Sequence, residues 1–119
     1  MTDDLPRTTF TGLAQRTGLI PDAELDAFWA TLEPASIEFM LGEWKGGEFN
    51  TGHAINGVLP RASLWMEEFR GEVTATMVYD GQAVHDHFKK IDDDTVMGIM
   101  NGKAGLDNGR CGYFYLERA

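Results

Sequence analysis

The side chains able to move a proton near neutral pH are His53, His85 and His87, with Cys111 the single cysteine. Asp86 lies between two of the histidines. In an extended segment successive side chains point to opposite faces, so His85 and His87 share one face. Asp86 then falls on the other, between Val84 and Phe88. A carboxylate among apolar neighbours is half exposed, paired, or buried as an acid/base group with a raised pKa. His-x-His with a distant third histidine is the ligand set of some zinc and iron sites. The same spacing is met in two surface histidines beside Lys89, and no metal and no cofactor are expected. His53 closes the turn-like run Asn50-Thr51-Gly52, where it bonds a nearby carbonyl or stands at a cavity mouth. If the chain is an enzyme, His53, Asp86 and His87 are the candidate acid/base groups.

Two other clusters carry little chemistry. Asp92-Asp93-Asp94 lacks the spacing and terminal Glu of a calcium loop and reads as a solvated hairpin turn. Lys103 lies in a Gly-containing loop with neither Walker spacing nor a following helix, so the loop is no phosphate cradle. The apolar side chains say more. Trp44, Phe49, Met66, Met77, Phe88, Met97 and Phe114 are the candidate lining of a ligand cavity, since Met and aromatic groups adapt to varied shapes. The alternative is that they are ordinary core.

The elements that must position these residues change character at Gly42. Residues 1–41 read as a helical segment. Leu25, Phe28, Trp29 and Leu32 follow at i, i+3, i+4 and i+7, behind an acidic first turn at Asp22 and Glu24, and Pro34 stops that helix. A weaker helix is expected over Thr9 to Thr17, and a further turn or two up to Leu41. From Gly42 short alternating runs are separated by turn residues. The expected strands are Glu43–Asn50, Ala62–Phe69, Glu72–Tyr79, Ala83–Ile91, Thr95–Met100 and Gly112–Glu117. Asp80-Gly81 reads as a two-residue hairpin turn. Six sequential strands predict a mainly β fold: a small antiparallel β-barrel or strongly curved sheet over residues 42–119, one domain with the helices.

The bulk numbers narrow the function classes. A chain of 119 residues is one domain with room for one core and a small cavity. Net charge −9 opposes nucleic acid and anionic membranes. No apolar run approaches the ~18 residues of a membrane span. One cysteine excludes an intramolecular disulfide and fits a reducing compartment. The acidic first residues carry no apolar core of the kind a secretory leader needs. The expectation is a soluble cytoplasmic protein, a monomer or small oligomer such as a homodimer.

Gly42-Glu43-Trp44-Lys45-Gly46, within Leu41 to His53, resembles the GXWXG domain. The run from Glu68 to Asp80, then Asp86-His87-Phe88, Asp92 to Gly98 and Phe114 to Arg118, resembles the DUF4334 domain. The resemblance covers about two thirds of the chain. It differs in the short join from Val58 to Trp65, which implies a smaller or more open barrel. A similar Gly-x-Trp closes one end of calycin barrels, and nitrobindin-like haem proteins share a related entry. The resemblance implies an apolar internal cavity. Trp44 is then expected to be a buried plug whose removal costs roughly 3–5 kcal/mol. The leading expectation is binding of an apolar small molecule such as a fatty acid or terpenoid. The alternatives are a cofactor-independent isomerase, lyase or hydrolase using the same cavity, a haem or metal binder, and a filled-core interaction protein.

Overall fold

The structure, a computed structural model, describes residues 5–49, 51, 62–81, 83–102 and 110–119. Helix α1 (Leu5–Ala14) begins earlier than the Thr9 start read from sequence. Pro6 sits in its first turn, where a missing N–H costs no helical bond. Helix α2 (Asp22–Thr31) follows Pro21 and buries Leu25, Phe28 and Trp29. The chain leaves α2 three residues before Pro34 and forms a two-residue strand, β1 (Glu33–Pro34), that the sequence reading missed. The single turn α3 (Ile37–Met40) is capped by Ser36, whose Oγ accepts from the Phe39 N–H at 3.1 Å.

Six further strands build the sheet: β2 (Trp44–Glu48), β3 (Ala62–Phe69), β4 (Glu72–Tyr79), β5 (Val84–Asp92), β6 (Thr95–Gly102) and β7 (Gly112–Arg118). Their order is β2-β7-β6-β5-β4-β3, all antiparallel, with β1 added alongside β5. The fold is therefore mainly β with N-terminal helices. Of the two forms expected, the open curved sheet is the one found: among the described residues β2 and β3 do not pair, and the barrel is not closed. No helix among them is long and apolar enough to cross a membrane.

Register divides the sheet into two faces. One carries Tyr113, Met97, Ile99, Ile91 and Phe69, and α1 and α2 cover it with Phe10, Leu13, Leu25, Phe28 and Trp29. The other carries Trp44, Leu64, Met77, Phe88, Phe114 and Leu116, joined by Met40 of α3. Residues from both end strands enter this second cluster. That requires the sheet to curl until β2 and β3 approach one another across α3.

The glycines of the Trp44 segment serve distinct ends. Gly42 takes φ +117°, which an L side chain resists. Gly47 lies under the Tyr115 ring, where a Cβ would come within 2.3 Å of it. Gly46 meets nothing closer than 3.8 Å, so its place in the motif has no steric cause here.

Candidate functional site

The approach of the two end strands leaves a cleft of about 440 Å³. Met40 and Leu41 flank it from α3 and its C-terminal end, Trp44 from β2, Leu64 from β3, Met77 from β4 and Leu116 from β7. Among the described residues no titratable side chain lines it, and its volume lies in the range of small-molecule sites. A second depression, about 360 Å³ between α1 and α2, includes Glu24, which Arg16 already pairs at 2.6 Å.

Asp86 stands beside the cleft. In the β4–β5 ladder it is directly opposite Met77, so the two side chains are neighbours on one face. Its side chain is 2% exposed. The Tyr79 hydroxyl donates to Oδ2, while Oδ1 is buried without a hydrogen-bond partner among the described residues. An unpaired buried acceptor costs about 1–3 kcal/mol. Burial pushes the Asp86 carboxyl up to about 6, against the Tyr79 hydrogen bond and the His85 charge, which pull it down. Burial and then the Asp86 bond hold the Tyr79 phenol well above its ordinary range. The pair can accept a proton or a hydrogen bond at Oδ1 and is surrounded by Val84, Met100, Phe88 and Phe114 on the same face.

Trp44 corrects an expectation. It is half-buried at the rim rather than a buried plug, with its indole N–H donated to the Met40 carbonyl at 2.9 Å and the Arg118 guanidinium 4.3 Å over its ring. The fully buried tryptophan is Trp29, under α2. The Arg118 guanidinium is also engaged by the main-chain carbonyls of Phe39, Leu41 and Asp93.

The other candidate residues are not gathered in one place. Met77, Phe88 and Phe114 share the cleft face with Trp44. Met66 lies on that face by register but is 44% exposed. Phe49 and Met97 belong to the opposite core, beneath the helices. His85 is half-exposed on that opposite face and bonds Glu67 at 2.7 Å. His87, expected either at the surface or as an acid/base group, is buried there. It stacks on Phe69 with centroids 3.9 Å apart. Nδ1–H donates to Thr76 Oγ1 at 2.9 Å, Thr76 donates onward to the Thr74 carbonyl, and Asn101 Nδ2 lies 3.4 Å from Nε2. Both ring nitrogens are thus satisfied in the neutral form, and burial lowers the His87 pKa to about 4. Asp86 and His87 cannot act on one substrate atom, because the sheet separates them. His53 lies outside the described residues, as does Lys103. Among the described residues no three His, Cys, Asp or Glu side chains gather as a metal site.

Sequence reasoning missed Tyr79, Met40, Leu64 and Leu116. Tyr79 had a signal: it precedes the Asp80-Gly81 turn and falls on the Asp86 face for any even slip of register. Met40, Leu64 and Leu116 reach the cleft through the curl of the sheet, which no local pattern encodes.

Residues 27–80 match the family described as GXWXG protein, and residues 60–118 match the domain of unknown function DUF4334. No curated protein matches the chain. A solved structure described as "Crystal structure of protein from Thermomonospora curvata" is similar at 26% identity, with TM-score 0.81 over 98% of this chain and 99% of its own.

Proposed function

We propose, from the premise that this chain belongs to the GXWXG and DUF4334 family, that it binds an apolar small molecule in the cleft between β2 and β3. The observation that carries the reading is the lining itself: Met40, Trp44, Leu64, Met77 and Leu116 around about 440 Å³, with no titratable side chain lining it among the described residues. Met40 and Met77 are unbranched and polarisable, so the walls can adapt to guests of different shape. The curled antiparallel sheet supports a calycin-like kinship in which ligand occupies the unclosed interior. The net charge of −9 makes a neutral guest the better fit than a nucleic acid or an anionic membrane. A cytoplasmic setting is consistent with the lone Cys111.

The test is titration with Nile red, a neutral apolar dye. Saturable binding is expected for the wild type, in the presence or absence of a chelator. Leu64→Trp, which fills the cleft from β3, should weaken it by about tenfold or more with little change in the unfolding midpoint. Wild-type protein that leaves the dye unbound at any concentration would refute the reading.

A second reading is supported by one observation, the buried Asp86 carboxyl whose Oδ1 has no hydrogen-bond partner among the described residues. It makes the same cleft the seat of a proton transfer on an apolar substrate, with Asp86 as the base. The two readings separate on the fate of the guest: a carrier returns it unchanged, an enzyme returns it isomerised or cleaved.

A further inference from the structure

We infer that the cleft selects apolar molecules bearing one hydrogen-bond-donating group, a hydroxyl or an amine, which Asp86 Oδ1 accepts, and that it rejects carboxylates. The inference rests on the cleft-binding reading above and adds the polarity of its ligand.

Three observations converge on it. Asp86 Oδ2 already accepts from Tyr79, while Oδ1 is buried and unpartnered among the described residues. A buried acceptor of this kind gains most from an incoming donor, because nothing must first be displaced from it. Met77, directly opposite Asp86 in the ladder, also lines the cleft, so the carboxyl adjoins a residue of the cleft wall. A methionine side chain has three rotatable bonds and can turn aside without strain on the sheet.

The charged and titratable groups around Asp86 disfavour an acid. From β4 the face presents Tyr79, whose hydroxyl is committed. From β6 it presents Val96, Gly98 and Met100, and from β7 Gly112, Phe114 and Leu116, none of them ionisable. His85, the other charge that acts on Asp86, points to the opposite face and is paired with Glu67. At the α3 rim, Lys90 Nζ lies 4.6 Å over the Phe39 ring and Arg118 is held by three main-chain carbonyls. A ligand carboxylate would therefore meet another carboxyl and, among the described residues, no cation in the cleft lining. A hydroxyl or ammonium would complete the Asp86 hydrogen bonds.

The experiment is displacement of Nile red by four guests of equal chain length: dodecanol, dodecylamine, dodecanoate and dodecane. On the wild type, dodecanol or dodecylamine should displace the dye at concentrations about tenfold or more below those needed for dodecanoate and dodecane. In Asp86→Asn, which keeps the shape and offers an amide N–H, that advantage should shrink toward parity and dodecanoate should gain. Tyr79→Phe, which frees Oδ2 and leaves the carboxyl in place, should keep the preference for donors. Equal displacement by all four guests on the wild type overturns this inference and leaves the cleft reading standing. Unchanged selectivity in Asp86→Asn overturns it as well. Failure of Nile red and of every guest to bind overturns both.

Discussion

Trp29→Ala should lose about 3–5 kcal/mol of stability, whereas Trp44→Ala should lose only about 1–2 kcal/mol. Trp29 is 2% exposed and meets Phe69 edge-on at 5.8 Å, at the centre of the core that α2 forms on the sheet. It also covers Lys89. That ammonium is on a side chain 1% exposed, donates to the Trp29 carbonyl at 3.1 Å and to Glu72, and lies 5.3 Å from the indole ring. Truncation therefore leaves a cavity and exposes a buried cation to solvent along one side. Trp44 is half-buried. Its loss removes one hydrogen bond to Met40 and the Arg118 stack, at a rim that water already reaches. For a domain whose whole stability is roughly 5–15 kcal/mol, the two losses are easily told apart by urea unfolding with the slope checked for constancy. If Trp44→Ala proves the more damaging, the glycine-bracketed tryptophan is the keystone after all and the helix-covered core is secondary.

The contrast between these tryptophans shows what the sequence could encode. The i, i+3, i+4, i+7 spacing of Leu25, Phe28, Trp29 and Leu32 was enough to bury Trp29, because helical periodicity is a local property. The six longer strands were legible because strand alternation is local too, with ends shifted by at most two residues, while the two-residue β1 was not. Asp86 illustrates a sturdier kind of legibility. A two-residue turn at Asp80-Gly81 would set Val78 opposite Ala83, but Val78 stands opposite His85. The register thus slips by two, and an even slip preserves the face of every side chain. The face of Asp86 survived that error, while its partner Tyr79 did not follow from it. Relations between distant strands were not legible. Phe49, an odd five residues from Trp44, falls on the helix-covered face by alternation alone, whereas Met97, on a different strand from Met77, lies there through pairing. Which face a strand buries depends on its pairing register, and pairing is non-local. The unpaired ends of the sheet follow from how far β2 stands from β3, a distance set by the curl of the whole sheet and by α3.

Asp86 and His87, adjacent in sequence and separated by the sheet, should impose opposite pH dependences on stability. The Asp86 carboxyl is raised from 3.8 to about 6 in the folded protein. The native state therefore holds its proton where the unfolded chain has released it. Its contribution is fully present below pH 3.8 and is lost as pH rises through about 6. The His87 imidazole is lowered from 6.5 to about 4, so its contribution is fully present above pH 6.5 and is lost as pH falls through about 4. At ~1.4 kcal/mol per pKa unit each is worth roughly 2–3 kcal/mol, and between pH 4 and 6.5 they largely offset one another. Other carboxylates titrate alike in wild type and variants, so they cancel in the comparison. Asp86→Asn should match the wild type near pH 4 and exceed it above pH 6.5 by up to roughly 2–3 kcal/mol. His87→Gln should show the reverse slope relative to the wild type, its deficit growing as pH rises from 4 to 6.5, whatever constant loss the Phe69 stack contributes. Urea unfolding of the three proteins at half-unit steps of pH measures both. Parallel wild-type and Asp86→Asn curves across the window would show that Asp86 reaches water or a partner in the folded state. Divergent curves would show that the protein carries an ionised, incompletely bonded carboxylate in its interior at neutral pH. That standing cost is what a ligand hydroxyl or amine would relieve, so the variant that gains stability should be the one that loses preference for donor-bearing guests.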